Sequence, residues 1–231
     1  MLKYQKIAQL IESEINTNNM PQGTKLPSIN QLTEKYKVSK NTILKTLAVL
    51  EDNGVIYQVQ GSGIFVRQKK RTGYITLLQN QGFSNELTYI GVSTKLISFD
   101  KIRVPTEIAN HLQCKTDEEV YKVKRLHIIM GHPICLEESY FKTSIVTFLS
   151  EPLVEGSIFK YLTQALGIKI GFSDKYIRVG KTNDILSQFL DVPENSPVLS
   201  MEEIYYTNNG EPFDFTKNYY NFEHSQFFLQ S

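Results

Sequence analysis

The first part of the chain changes from helix-like to strand-like spacing of its apolar residues. Apolar side chains recur every three or four positions over residues 4–16, which predicts a first helix. The Pro-Gln-Gly segment at 21–23 interrupts the pattern. A second helix is predicted to begin at Ser28 and to run to about Tyr36, because Ser28 and Gln31 have the spacing of a capping box.

A third helix and a hairpin are predicted to follow. Ser39 is the expected N-cap of this helix, and Gly54 is the expected left-handed residue at its end. Short apolar strands over 55–59 and 64–66 flank the glycine-rich segment 60–63, which predicts a β-hairpin. Helices followed by a hairpin in this order indicate a winged helix-turn-helix, a fold whose third helix enters the major groove of DNA.

The first turn of the third helix has the chemistry of a DNA-reading surface. Ser39, Lys40, Asn41 and Thr42 can all donate hydrogen bonds to base edges, and none of them is acidic. Lys45 lies one turn further on and can reach a phosphate. The simpler interpretation is a capped helix beside an ordinary glycine turn, with no binding role for either.

Four segments of this region resemble the GntR family of bacterial transcription regulators. They are 25–28 (Lys-Leu-Pro-Ser), 38–42 (Val-Ser-Lys-Asn-Thr), 47–54 (Leu-Ala-Val-Leu-Glu-Asp-Asn-Gly) and 61–66 (Gly-Ser-Gly-Ile-Phe-Val). The resemblance implies DNA binding, with two departures, because Asn30 and Leu44 stand where the family usually has arginine. The residues expected to contact DNA are Lys25, Ser28, Asn30, Ser39, Lys40, Asn41, Thr42, Lys45, Gln60, Gly61, Ser62 and Gly63.

Charge divides the chain in two. Residues 1–71 hold 11 Lys/Arg against 5 Asp/Glu, whereas residues 72–231 hold 14 against 19. Such an asymmetry indicates that the basic part meets a polyanion. The basic segment 67–73 is expected to be a solvated hinge, with contact to DNA as the alternative. We predict a DNA-binding domain over 1–68, a linker over 69–80 and a second domain over 81–231.

An internal repeat organises the second domain. Segments 109–140 and 187–219 both have the pattern of helix end, turn, strand, Gly-x-Pro hairpin and strand. Because short hairpins join antiparallel strands, we predict an antiparallel sheet with flanking helices, an α+β fold. A further helix is predicted from Ser157 to Leu166, before Gly167. Offsets of 78 residues before the hairpin and 79 after it relate Leu112 to Leu190, Val120 to Val198, Gly131 to Gly210, Pro133 to Pro212 and Tyr140 to Tyr219.

The second domain resembles the UTRA effector-binding domain of the HutC subfamily of GntR regulators, which has a chorismate-lyase-like fold. The resemblance covers roughly residues 75–230. It implies a transcriptional regulator, most simply a repressor, that acts as a homodimer on a near-palindromic operator. The motifs are 124–127 (Lys-Arg-Leu-His), 131–134 (Gly-His-Pro-Ile), 136–140 (Leu-Glu-Glu-Ser-Tyr), 157–159 (Ser-Ile-Phe) and 210–214 (Gly-Glu-Pro-Phe-Asp).

Two basic residues share one face of the predicted strand 120–130. Arg125 and His127 share this face with Tyr121, Val123 and Ile129, because alternate residues of a strand point to the same side. A charge on a half-buried face needs a partner. One interpretation is an internal salt bridge to Glu137 or Glu138 on the return strand. The other is an anionic ligand, because the arginine fork fits a carboxylate or a phosphate.

The UTRA resemblance implies an effector site around these residues. Sugar-phosphate-binding members bind the anionic group with basic residues at the positions of Arg125 and His127 and with the loop at 82–85. His127 replaces a second arginine and Phe159 replaces a tyrosine, so a weaker or pH-sensitive anion site is expected. The first hypothesis for the effector is a sugar phosphate, with a carboxylate or an uncharged sugar as alternatives. The expected effector residues are Phe83, Ser84, Asn85, Arg125, His127, Glu137, Ser157, Phe159, Asp214 and Tyr220.

Composition and motifs argue against several other classes of protein. Of 231 residues, 41% are hydrophobic and 21% charged, the balance of a folded globular protein. No apolar run approaches the ~18 residues of a membrane span and the N-terminus has no signal core, so a cytoplasmic protein without membrane contact is expected. Cys114 and Cys135 lack metal-ligand spacing. We expect no catalytic activity, metal or cofactor, and the third alternative is a DNA-binding protein without an effector.

Overall fold

A computed structural model describes residues 2–67, 73–76 and 91–229. The chain divides into two compact units, one ending at Thr72 and the other beginning at Gly73. This division falls inside the segment 69–80, whose bounds as a linker stay a prediction because most of it lies outside the described residues. Among the described helices, none is long and apolar enough to cross a membrane.

The N-terminal unit has the predicted order of elements. The third helix carries the centre of its core, where Ile43, Leu47 and Leu50 are fully buried. The hairpin strands pair antiparallel, and a bridge from Lys25 to Phe65 adds a third segment to the hairpin. The unit is therefore a winged helix-turn-helix, with elements α1 (Lys3–Thr17), α2 (Ile29–Tyr36), α3 (Lys40–Asp52), β1 (Ile56–Val59) and β2 (Gly63–Val66).

Local hydrogen bonds explain where these helices begin and end. The Ser28 Oγ accepts from the Gln31 backbone N–H at 3.4 Å, and the Gln31 Oε1 accepts from the Ser28 backbone N–H at 2.8 Å. These bonds are the predicted capping box. The Ser39 Oγ accepts from the backbone N–H of Thr42 at 3.3 Å, so Ser39 caps α3. Gly54 follows α3 with φ of +68°, which confirms its left-handed conformation.

The C-terminal unit is built on one antiparallel sheet of six strands in the order β4-β5-β6-β9-β8-β7. A separate pair of short parallel strands joins β3 to β10. The predicted α+β class is confirmed. The elements are β3 (Ile75–Thr76), β4 (Val92–Arg103), α4 (Thr106–Leu112), β5 (Glu119–Ile129), β6 (His132–Lys142), α5 (Glu151–Glu155), α6 (Ile158–Gln164), β7 (Ile170–Lys181), α7 (Asp184–Leu190), β8 (Pro197–Thr207), β9 (Pro212–Asn221) and β10 (Phe227–Phe228).

The repeat seen in the sequence is a structural repeat. Each half consists of an outer strand, a short helix and a hairpin, β4-α4-β5-β6 in one half and β7-α7-β8-β9 in the other. The halves meet where β6 pairs with β9, so the two outer strands, β4 and β7, form opposite edges of the sheet. Met130 and Gly131 form the first hairpin turn with φ of +50° and +84°, and the second turn is longer.

Both faces of the sheet are covered. Helices α4 and α7 pack on one face, against residues such as Val120 and Leu136. Helices α5 and α6 pack on the other face, which we call the α6 face, against residues such as Val123 and Phe141. Helix α6 ends at Gln164, two residues earlier than predicted. Ser157 precedes it, but its side chain makes no capping bond, because the cap is formed by the backbone alone.

Candidate functional site

The predicted DNA-reading residues lie on the surface of the winged unit. Lys40, Asn41 and Lys45 are exposed on α3, and Thr42 is half-buried. The Thr42 Oγ1 lies 2.9 Å from the Ser39 Oγ, so these two hydroxyls are partly occupied by each other. Lys40, Asn41 and Lys45 are therefore the side chains of this turn with the greatest freedom to reach bases and phosphates.

The second predicted DNA surface is the tip of the wing. Gln60, Gly61 and Ser62 are exposed there. Lys25 extends over the tip, with its Nζ 5.9 Å from the centre of the Phe65 ring. A side chain at Gly63 would place a Cβ 2.9 Å from the Lys25 Cε, so glycine at this position leaves room for the lysine. The fold thus brings Lys25 beside the wing, although the sequence separates them widely.

Two further predicted DNA residues lie at the start of α2. Ser28 and Asn30 are both exposed, but the Ser28 hydroxyl already forms the capping box. Asn30 lies in the first turn of α2, with its side chain at the surface. The arginine usual in relatives would extend further toward a phosphate than this asparagine.

The predicted effector residues converge on the α6 face of the C-terminal sheet. Arg125 and His127 on β5 face Glu137 on β6, and all three side chains are almost fully buried. The Glu137 Oε1 accepts from the Arg125 Nε at 3.1 Å and from the Arg125 Nη2 at 2.6 Å. The Glu137 Oε2 lies 2.7 Å from the His127 Nε2. Of the two carboxylates considered as partners, Glu137 is the one that pairs with Arg125.

Glu138 lies on the opposite face, as its neighbouring position on a strand requires. It accepts a hydrogen bond from the Tyr140 hydroxyl and lies 3.4 Å from the Lys122 Nζ. Glu137 and Glu138 therefore belong to different networks and cannot act as an acid–base pair.

Arg125 also holds the segment between α5 and α6. Its Nη1 donates to the backbone carbonyls of Val154 and Gly156, each at 3.1 Å. Ser157, a predicted effector residue, comes directly after these carbonyls and is half-buried. A ligand that drew the guanidinium of Arg125 away from this segment would also release the connection between the two helices.

The surroundings of Glu137 and His127 shift the pKa values of both side chains. Burial alone would raise the pKa of Glu137, but the charge of Arg125 and hydrogen bonds from His127 and Arg125 outweigh it and hold that pKa well below its usual range. Burial lowers the pKa of His127, with Glu137 opposing the shift. A neutral His127 donates from Nε2 to Glu137 and accepts at Nδ1 from the Thr94 hydroxyl, 3.1 Å away.

Asp214 has the opposite behaviour on the neighbouring strand. Burial raises the pKa of Asp214 well above its usual range, and the nearby charges of Glu137 and Glu203 raise it further, against the effect of a bond from Thr216. The fold therefore favours the protonated form of this carboxyl. Its Oδ1 accepts from the Thr216 Oγ1 at 2.9 Å, whereas its buried Oδ2 has no hydrogen-bond partner among the described residues.

A second charged pair completes the cluster and was not predicted. The Lys175 Nζ on β7 lies 2.6 Å from the Glu203 Oε1 on β8, and the Glu203 Oε2 accepts from the Asn218 Nδ2 at 2.7 Å. The repeat offset of 78 residues relates Glu203 to Arg125, so the two halves place opposite charges at equivalent positions. In the sequence, the alternating polar residues over 214–218 were the signal that could have indicated that the polar cluster continues onto β9.

The remaining predicted effector residues flank the cluster. Phe159 on α6 packs edge-on against Tyr205, with ring centres 4.7 Å apart. Tyr220 is buried and meets Phe227 in a similar arrangement at 4.8 Å. Phe83, Ser84 and Asn85 lie outside the described residues.

No metal centre accompanies this cluster in the described part of the chain, where no group of three or more His, Cys, Asp and Glu side chains is arranged to hold an ion. Cys114 and Cys135 are both free thiols. The buried cluster is a network of charge-assisted hydrogen bonds.

A winged helix-turn-helix followed by an antiparallel α+β domain with a polar interior defines a two-part DNA-binding regulator. Comparison with known families gives the same class. Residues 3–66 match the family model described as bacterial regulatory proteins, gntR family, and residues 90–226 match the UTRA domain. The chain belongs to the GntR family, in its UTRA-containing branch, and is a DNA-binding transcriptional regulator, not an enzyme.

Individual relatives cover the full length of the chain. The uncharacterized HTH-type transcriptional regulator YydK of Bacillus subtilis is 47% identical over 100% of this chain and 98% of its own length. The crystal structure of the possible regulator YydK superimposes with a TM-score of 0.87 at 45% identity and covers 100% of both chains. The mannosyl-D-glycerate transport/metabolism system repressor MngR of Escherichia coli is 23% identical over 98% of this chain and 94% of its own length.

Proposed function

We propose that this regulator is a repressor whose binding to a near-palindromic operator is controlled by a small sugar-derived ligand in its C-terminal unit. The observation that carries the proposal is the buried cluster of Arg125, His127, Glu137 and Asp214 inside a domain attached to a winged helix. A purely structural domain gains little from such a cluster, because buried ion pairs are often no more stabilising than apolar residues of the same volume. The relative MngR, named as the repressor of a mannosyl-D-glycerate transport/metabolism system, supports repression and a link to a sugar-derived compound.

The DNA-binding half of the proposal uses the exposed side chains of α3 and the wing. Asn41 and Lys40 contact base edges from the first turn of α3, while Lys45 and the wing tip contact phosphates. A homodimer presents two such units to the two halves of the operator. Since its target is DNA, we place the protein in the cytoplasm.

The first effector class is a sugar phosphate. Arg125 offers a planar fork, and His127 offers a second donor when a neighbouring anion raises its pKa. In the resting cluster both residues bond to Glu137, so the phosphate would have to share Arg125 with that carboxylate or displace it. The loop 82–85 is proposed to supply further donors to the same phosphate.

One observation favours an uncharged sugar as the second effector class. Arg125 pairs with Glu137, and Lys175 pairs with Glu203, so the charges of the described cluster already balance. Asp214, whose protonated form is favoured by burial, has in contrast a buried oxygen without a partner among the described residues. A protonated carboxyl donates one hydrogen bond, which a sugar hydroxyl or ring oxygen can accept.

A thermal-shift titration separates these classes. The panel contains sugar phosphates, the matching free sugars, amino sugars and small carboxylates. A ligand at 100 times its dissociation constant adds about 2.7 kcal/mol, which raises the melting temperature by about 5–10 °C for a chain of this size. A shift with a phosphate but not with its free sugar identifies the first class, and a similar shift with both identifies the second.

Variants assign the ligand to the cluster and the operator to α3. Arg125→Ala should abolish the shift given by a sugar phosphate, whereas Lys124→Ala, which removes a charge on the opposite sheet face, should leave it. Lys40→Ala should weaken operator binding and leave ligand affinity intact, with the exposed Lys115→Ala as the charge-matched control. The absence of any shift across the panel would contradict the proposed effector and leave DNA binding as the sole activity.

A further inference from the structure

One edge of the C-terminal sheet exposes apolar side chains along its length. Strand β7 lies at the end of the strand order and has a neighbour on one side only among the described strands. Phe172, Tyr176, Ile177 and Val179 on this strand are 47%, 54%, 46% and 78% exposed. A long exposed apolar edge strand is a template for pairing with another strand.

The other edge of the same sheet differs, although the repeat makes the two edges equivalent. Strand β4 carries none of the large hydrophobic residues that are exposed in the described chain. Its surface positions are charged instead, as at Lys95 and Asp100. Charged edges resist pairing, so the repeat has one protected edge and one that is open to a partner.

We propose that β7 pairs in antiparallel fashion with β7 of a second copy of the chain, about a two-fold axis at Tyr176, so that the two sheets become continuous. The inference rests on the homodimer proposed above and specifies its interface. In an antiparallel pair, residues that lie opposite each other point to the same face of the sheet. A two-fold axis perpendicular to the sheet satisfies this condition only if one residue lies opposite its own copy in the partner subunit, and we name the axis by that residue.

The charges of β7 select Tyr176 among the possible axis positions. With the axis at Tyr176, Asp174 lies opposite Arg178 of the partner subunit, and the symmetry produces this pair twice. An axis at Lys175 or at Arg178 would place two like charges directly opposite each other, which destabilises a strand pair. An axis at Tyr176 also pairs nearly the whole of the strand Ile170–Lys181.

Both charges are placed to take part in such a pair. Asp174 and Arg178 face the same side of the sheet, because they pair with Ile204 and Ser200 on β8. Arg178 is exposed, and the half-buried Asp174 accepts a hydrogen bond from the Tyr206 hydroxyl. This self-complementary arrangement of opposite charges around a central aromatic residue fits a second copy better than an unrelated strand.

Charge reversal tests the proposed register in the full-length protein. Asp174→Arg and Arg178→Asp each place like charges opposite each other in a homodimer, so each should weaken dimerisation tenfold or more. An equal mixture of the two variants should form a heterodimer, because both pairs are then opposite charges again. Asp100→Arg is the matched control, since Asp100 is exposed on β4 and the offset of 78 residues relates it to Arg178.

Sedimentation equilibrium over a range of protein concentrations measures each dissociation constant, and circular dichroism checks that each variant is folded. Monomeric single variants, a heterodimer on mixing and a dimeric Asp100→Arg control would support the interface. Single variants that dimerise as tightly as the wild type, or a mixture that stays monomeric, would overturn it while leaving the dimer in place. A wild-type chain that is monomeric at every concentration would instead overturn the dimer itself.

Discussion

Arg125 and Glu137 face each other across β5 and β6 and share two hydrogen bonds, of 3.1 Å and 2.6 Å, in a site where both side chains are buried. The same guanidinium donates to the carbonyl of Val154 in α5 and to that of Gly156, between α5 and α6. One residue thus connects the centre of the sheet to its helical cover. The proposed effector site would therefore use a side chain that also packs α5 and α6, so ligand binding at Arg125 would change the position of these helices.

Replacement of Arg125 should test how much this pair stabilises the C-terminal unit. Arg125→Met leaves the Glu137 carboxylate buried without its cation, which typically costs about 3–5 kcal/mol. The double replacement Arg125→Met with Glu137→Leu should cost less than the single one, because no charge stays unpaired. Calorimetric unfolding of both variants provides the comparison. A single variant within about 1 kcal/mol of the wild type would contradict the strong pairing.

Asp214 should make the stability of the C-terminal unit depend on pH. Its pKa is raised in the folded state, so folding binds a proton above the unfolded pKa of ~3.9, and the contribution falls as pH rises toward the folded pKa. The loss is at most about 1.4 kcal/mol per pH unit. Asp214→Asn lacks this loss, so the stability of this variant relative to that of the wild type should increase as the pH rises above 5.

Melting temperatures of the two proteins at each pH give this difference directly, and groups common to both cancel. Glu137 adds no slope in this range, because its pKa is lowered in the folded state and its contribution changes only under more acidic conditions. Parallel curves for the wild type and Asp214→Asn would show that Asp214 is already ionised in the fold.

Substitutions on α3 should distinguish contacts with bases from contacts with phosphates. Lys45→Ala should reduce the slope of log affinity against log salt by about 1, because one phosphate contact is lost. Asn41→Ala should leave the slope unchanged and cost about 1–3 kcal/mol of discrimination between operator and non-operator DNA. Fluorescence anisotropy with an operator selected from random duplexes measures both. An unchanged slope for Lys45→Ala would place its side chain away from the backbone.

The wing should be sensitive to a side chain at Gly63 more than at Gly61. Gly63 has φ of +129° and would direct a Cβ to 2.9 Å from Lys25, whereas Gly61 has φ of +77° and an open surrounding. Gly61→Ala should cost about 1 kcal/mol, and Gly63→Ala should cost about 1–2 kcal/mol more, because its backbone conformation is almost restricted to glycine. Thermal unfolding of the N-terminal unit gives both values, and equal effects would exclude the strain at Gly63.

Elements governed by short-range signals were predictable from the chain alone. The capping box at Ser28, the cap at Ser39 and the left-handed Gly54 mark the ends of two helices, and each signal involves residues close together in sequence. The repeat was predictable for a similar reason, since its two hairpins have the same turn pattern. The C-terminal end of α6 was not, because the helix ends at Gln164, before the left-handed Gly167 that marked its predicted end.

The polar interior shows where short-range signals end. The sequence left Glu137 and Glu138 as possible partners of Arg125. The register of β5 against β6 places Glu137 on the same face as Arg125 and Glu138 on the other face. Glu203 gave no signal of its own, because a strand that is buried on both faces, such as the middle of β8, lacks the alternation that marks an inner side. Lys175 gave none because it lies on an edge strand with many exposed positions. Their pairing depends on the register of β7 against β8.

The sequence by itself determined the winged helix-turn-helix, the repeated α+β domain and the family, because caps, turns and motifs are local properties of the chain. Tertiary structure alone decided that the partner of Arg125 is Glu137, that Asp214 is buried with a raised pKa, and that β7 is the open edge. These features follow from which strands are neighbours, and strand order is set by packing across residues that are far apart in sequence.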